Sequence, residues 1–120
     1  MIQDEVLIQI MAEACMEEKA DDLVILDVSK MTSLTEYFLI VSGRSIKHVK
    51  SICDSLLITL GEQDIKPLRQ EGYQESVWII MDYNSVIVHI FTSEKRSHYN
   101  LERLWGGASK IDVSARSTGR

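Results

Sequence analysis

Proline is nearly missing from this chain: Pro67 is the single one in 120 residues, and glycine occurs six times. Collagen-like and low-complexity architectures need far more of both and are excluded. Cysteine is scarce as well. Cys15 and Cys53 stand in helix-like patterns without metal or redox spacing, which predicts free buried thiols and a reducing compartment. No apolar run approaches the roughly 18 residues of a membrane helix. Asp4 and Glu5 occupy the place where a targeting segment carries Lys or Arg, so a soluble, cytoplasmic protein is expected. No internal repeat is visible. The length suits one domain, since domains commonly run about 100–150 residues.

Basic residues are few at the start. Residues 1–36 carry nine acids against Lys19 and Lys30, within a net charge of −5. A surface of this sign repels a phosphate backbone and argues against direct nucleic-acid binding. It is either a solvated helix face or a surface that steers the chain toward a basic protein partner.

The hydrophobic pattern alternates between helix and strand periods. Val6, Leu7, Ile10, Met11, Ala14 and Cys15 form a helical stripe, with Asp4 placed to cap a helix ending near Ala20. Residues 23–28 and 37–41 are almost continuously apolar, as strands covered on both faces are. Ser45 can cap a second helix carrying Ile46, Val49, Ile52, Cys53, Leu56, Leu57 and Leu60, with Gly61 closing it in the left-handed conformation. Residues 66–69 suit an edge strand that tolerates Pro67. Strands at 77–81 and 86–91 make a hairpin around a turn at 82–85, followed by a short helix through Tyr99, Asn100, Leu101, Glu102, Leu104 and Trp105. The expected fold is α/β: one domain over residues 1–107, a mixed sheet of about five strands with flanking helices, and a mobile tail over 108–120.

Catalytic spacing is lacking. His48, His89 and His98 are not set with carboxylates or thiols as a metal site requires, and neither metal nor cofactor is expected. His89, inside an apolar strand, fits a hydrogen-bonded structural role better than a catalytic one. Asp27 and Asp82 could pair as acid and base, but aspartates at strand ends more often bind turn amides. Ser42-Gly43-Arg44-Ser45 is a strand-to-helix junction where phosphate can meet a helix N-terminus. It lacks the further glycines and the lysine of a phosphate loop, and the next helix offers Asp54 but Leu56 where a second metal-binding acid belongs. A nucleotide-binding or nucleotidyltransferase-like enzyme is therefore the alternative reading, and a non-enzyme the preferred one.

Both tryptophans fall within residues 77–105. Side chains alternate along a strand, so Val86, Val88 and Ile90 face one way, and Ile87, His89 and Phe91 the other; Trp78, Ile80 and Asp82 share a face. If helices cover the aliphatic side, Trp78, Asp82, His89 and Phe91 make an aromatic and polar face bordered by the Tyr99–Trp105 segment. Trp78, Tyr99 and Trp105 are candidate anchors, though a strand tryptophan can equally fill a core. Asp82, Glu94 and Glu102 can pair with a basic partner. Of Leu101 and Leu104 at least one belongs to the core, and Asn100 either contacts the partner or caps the helix.

An ordered series of motifs runs through the chain: Asp27-Val28-Ser29; Tyr37-Phe38 with Ser42-Gly43; Pro67-Leu68-Arg69 with Glu71-Gly72-Tyr73; Trp78; Asp82-Tyr83; Val88-His89-Ile90-Phe91; and Tyr99-Asn100-Leu101-Glu102-Arg103-Leu104-Trp105. Together they resemble the ribosomal silencing factor family, RsfS or Iojap-like, from the first helix to Trp105. The resemblance implies a domain related to the nucleotidyltransferase fold without its activity. It also implies binding to the large ribosomal subunit through its protein number fourteen, obstruction of small-subunit joining when nutrients run short, and a homodimer when free.

Overall fold

The computed structural model describes residues 2–111. Helix α1 (Asp4–Glu17) starts with Gln3 at the N-cap, whose side chain makes no capping bond; Asp4 and Glu5 lie instead in the first turn, where the helix dipole favours acids. Its buried side is Leu7, Ile8, Met11, Ala12, Ala14 and Cys15. Val6, expected inside, is 49% exposed. Lys19 takes a left-handed conformation and the Ala20 amide bonds back to Cys15, so the helix stops at Glu17 rather than near Ala20.

Strand β1 (Asp21–Asp27) opens with an irregularity between Asp21 and Val24, where Asp22 has positive φ. Ile25 and Leu26 are buried, but Leu23 and Val24 are not, which corrects the expectation of a strand covered along its whole length. Strand β2 (Tyr37–Gly43) is the enclosed central strand. Helix α2 (Ile46–Gly61) begins as expected: the Ser45 hydroxyl accepts from the His48 amide at 3.1 Å. Gly61 ends the helix without turning left-handed; Asp64, at φ 60°, takes that conformation instead.

Strand β3 (Arg69–Glu71) lies beyond Pro67 instead of containing it, although the Leu68 amide already bonds to Asp82 at 2.7 Å. Strands β4 (Trp78–Asp82) and β5 (Val86–Thr92) form the hairpin. Two short helices follow, α3 (Ser93–Tyr99) and α4 (Leu101–Leu104), and then β6 (Ser109–Lys110). The sheet has six strands in the order β3-β4-β5-β2-β1-β6, with β2 and β5 parallel and the other pairs antiparallel. The sixth strand comes from the segment expected to be tail: Ser109 and Lys110 pair with Asp27 and Leu26, and the Ile111 amide bonds to Ile25. The remainder of that expected tail, 112–120, lies outside the described residues.

Period-two alternation divides the sheet into two faces. Ile25, Leu39, Val41, Ile79, Met81, Val86, Val88 and Ile90 pack beneath α1 and α2. Leu26, Val28, Phe38, Ile40 and Phe91 face the other way and meet Leu101, Trp78 and Trp105. Helices α1 and α2 thus cover the aliphatic side, the condition on which the aromatic and polar face rested, and the aromatic side carries a second, smaller core. Cys15 and Cys53 are free and buried, and burial pushes both thiols up to about 12. Among the described residues no helix is long and apolar enough to cross a membrane.

Candidate functional site

The hairpin register sets Trp78 opposite Phe91 and Ile80 opposite His89. The Trp78 and Phe91 rings stack with centroids 4.9 Å apart. Trp78 Nε1 donates to His89 Nδ1 at 3.2 Å, so the ring proton of the neutral histidine sits on Nε2. That nitrogen is buried and has no hydrogen-bond partner among the described residues; the ring lies edge-on to Phe38 at 4.9 Å. Burial pushes the His89 pKa down to about 4. His89 is thus a structural histidine, as its apolar strand suggests.

Helices α3 and α4 roof this face. Thr92 caps α3 by accepting from the Lys95 amide at 3.3 Å. The expected single helix through Tyr99 and Trp105 is broken at Asn100, which is left-handed at φ 46° and ψ 57° and makes no side-chain cap bond. Asparagine tolerates that conformation better than most residues. The break lets two aromatic groups dock separately: Tyr99 lies 4.7 Å from Trp78, and Trp105 meets the edge of Phe38 at 5.0 Å.

This architecture sorts the sequence candidates. Phe91 is fully buried and His89 6% exposed, so both support the face from inside and cannot touch a docked partner. Tyr99 at 45% and Leu104 at 75% exposure form its outer rim, with Glu94 and Asn100 exposed beside them and Trp78 and Trp105 half-buried beneath. Leu101 is the buried member of its pair with Leu104. Asp82 lies at the far end of β4, four residues and about 13 Å from Trp78 along the strand. It accepts from the Asn84 amide at 2.8 Å and from Arg69 at 3.4 Å, serving the turn.

Glu102, a candidate for pairing with a partner, is partly exposed and engaged within the fold. Both its oxygens accept from Arg96, at 3.1 Å each, and these bonds hold its carboxyl below the usual range. Arg96 also donates to the Ser42 hydroxyl at 2.9 Å, at the floor of a cleft of about 600 Å³ between β1 and α3–α4. The sequence reading missed this pair. Six residues apart, the two side chains cannot meet on a continuous helix, so only the break at Asn100 reveals them.

The Ser42–Ser45 junction is committed to the fold. A Cβ on Gly43 would stand 2.9 Å from Val49, so glycine serves the packing of α2 there. Arg44 pairs with Asp21 at 3.1 Å, and its amide donates to His48 Nδ1 at 2.9 Å. Asp54 accepts from Tyr73 at 3.0 Å, and Leu56 is buried in the core. Asp27 accepts from the Ser29 amide and hydroxyl, which lower its pKa, so it and Asp82 each serve their own turn. No group of three or more His, Cys, Asp or Glu among the described residues could hold a metal ion.

Fold and site together define a small α/β domain that presents an aromatic face under a broken helix. The chain belongs to the ribosomal silencing factor family: the family described as "Ribosomal silencing factor during starvation" matches residues 2–120. It is 36% identical over 107 residues to the ribosomal silencing factor RsfS of Bacillus subtilis, covering 89% of this chain and 91% of that protein. The chloroplastic Iojap protein of Zea mays is 30% identical over 86% of this chain and 45% of its own length. Among solved structures, a Chromobacterium violaceum protein superposes with a TM-score of 0.85 at 30% identity, covering 88% of each chain. A Bacillus halodurans protein gives 0.81 at 33% identity, covering 91% of this chain and 99% of that one.

Proposed function

We propose that this chain represses translation by docking its α3–α4 face on the large ribosomal subunit, through the subunit's protein number fourteen, and thereby blocks the small subunit from joining. The observation that carries this reading is the rim of Tyr99 and Leu104, large apolar groups held outward on elements whose inner side is locked into the second core. Rigid aromatic and aliphatic anchors are what recognition surfaces use. The described residues extend 34 × 31 × 29 Å, enough bulk to obstruct part of a subunit interface without any catalytic step.

Charge plays a long-range part. The acids of α1 lie with the aliphatic face, across the sheet from α3–α4, so the net charge of −5 steers the chain toward a basic partner while Tyr99 and Leu104 anchor the contact. Free in the cytoplasm, the chain pairs with a second copy in this reading. The nucleotide-binding alternative is disfavoured because the polar groups of the Ser42–Ser45 junction are bonded within the fold. Titration with magnesium and nucleoside triphosphates should release no heat. Sedimentation with isolated subunits tests the main reading: the protein should travel with large subunits, and Leu104→Ala should not.

A further inference from the structure

We propose that Arg96 is a positioning residue for docking: by bridging Ser42 on β2 and Glu102 on α4, it sets the angle of the elbow at Asn100 and with it the presentation of Tyr99 and Leu104. The inference rests on the reading of the α3–α4 face as the docking surface.

Helices α3 and α4 are seven and four residues long, too short to hold their shape alone, so their relative orientation comes from tertiary anchors. Their single connecting residue is a left-handed asparagine, which makes no side-chain cap bond to fix the angle between them. Aromatic contacts hold each side of the elbow separately, Tyr99 on Trp78 and Trp105 on Phe38. Arg96 is what ties one side to the other. Its Nε and Nη2 grip both oxygens of Glu102, and Nη1 reaches Ser42 at the end of the central strand. A planar fork fixes direction as well as distance, which a lysine ammonium cannot do. Arg96 is 9% exposed, so it reaches a partner only through the groups it orients.

Charge makes the proposal separable from simple steering. Arg96→Gln makes an acidic chain more acidic, which by steering alone would speed association with a basic partner. Loss of positioning does the opposite, because only the fraction of molecules with the elbow correctly set can bind.

The test measures association and dissociation rates of the full chain with purified large subunits at two salt concentrations, for Arg96→Gln, Arg96→Lys, Glu102→Gln, Tyr99→Ala and Leu104→Ala, with circular dichroism confirming the fold. The expected result is that both Arg96 variants and Glu102→Gln bind at least about tenfold more weakly at both salt concentrations, mainly through slower association. If Arg96→Gln does not fold, Arg96→Lys and Glu102→Gln decide the matter. Wild-type binding by these variants, while Tyr99→Ala and Leu104→Ala lose it, would overturn the positioning role and leave the docking face standing. A changed salt dependence in Glu102→Gln with wild-type binding by Arg96→Lys would make Glu102 a direct contact and also overturn it. Wild-type binding by Tyr99→Ala and Leu104→Ala would remove the docking face itself.

Discussion

Trp78 donates its indole proton to Nδ1 of His89 across the β4–β5 pair, and this bond fixes the histidine's tautomer inside the aromatic core. The interaction has a pH signature. Folded His89 resists protonation until about pH 4, whereas in the unfolded chain it takes a proton near 6.5. Between those values the unfolded state binds more protons, so acidification removes up to about 3 kcal/mol of stability, all of it present above pH 6.5. Urea unfolding at pH 7 and pH 5 should show the loss. His89→Gln, which can still accept from Trp78, should flatten it; an equally steep variant would assign the effect elsewhere. The lowered carboxyls of Asp27 and Glu102 have the same sign, but their stability is lost as pH falls through the lower, carboxylate range.

Gly72 supports Trp78 from the backbone. It has φ +87°, and a Cβ there would collide with the Trp78 carbonyl oxygen. Gly72→Ala should therefore cost more than about 2 kcal/mol in chemical unfolding, through strain and collision together. A variant as stable as the parent would show that the segment entering β4 can take another path.

Phe91 and Leu104 should behave oppositely. Phe91→Ala empties a fully buried site and is expected to cost about 3–5 kcal/mol. Leu104→Ala, at a largely exposed site, should stay within about 0.5 kcal/mol while weakening large-subunit binding. Thermal unfolding of both variants, read beside the binding assay, separates support from contact.

The cap of α2 gives a smaller effect. Ser45→Ala removes the acceptor for the His48 amide and should cost about 1 kcal/mol. Circular dichroism melting checks this, and no change would mean that water or the Ser45 backbone replaces the hydroxyl.

Much of the fold was legible because alternation and helical stripes are local codes. The alternation of 86–91 assigned each residue to its face, and Val49, Ile52, Cys53, Leu56 and Leu60 are buried as their spacing predicts. The features that were not legible depend on distant contacts. Ile8 displaces Val6 from the buried side of α1 because the stripe alone does not fix how the helix is rotated on its neighbours. Strand β6 is two residues long and exists through its pairing with β1. The break at Asn100 interrupts a segment expected to be one short helix, and the Arg96–Glu102 pair follows from that break. Tryptophan and tyrosine mark residues 77–105 in the sequence, but burial, which depends on packing across the sheet, decides which of them face outward.

Docking through the Tyr99–Leu104 rim is tested most directly by cosedimentation of purified protein with large subunits, small subunits and joined ribosomes at two salt concentrations. The expected result is selective travel with the large subunit, weakened modestly by salt and accompanied by reduced subunit rejoining, with both effects lost in folded Tyr99→Ala and Leu104→Ala proteins. Binding to no ribosomal particle, or unchanged binding and rejoining in the two variants, would contradict it.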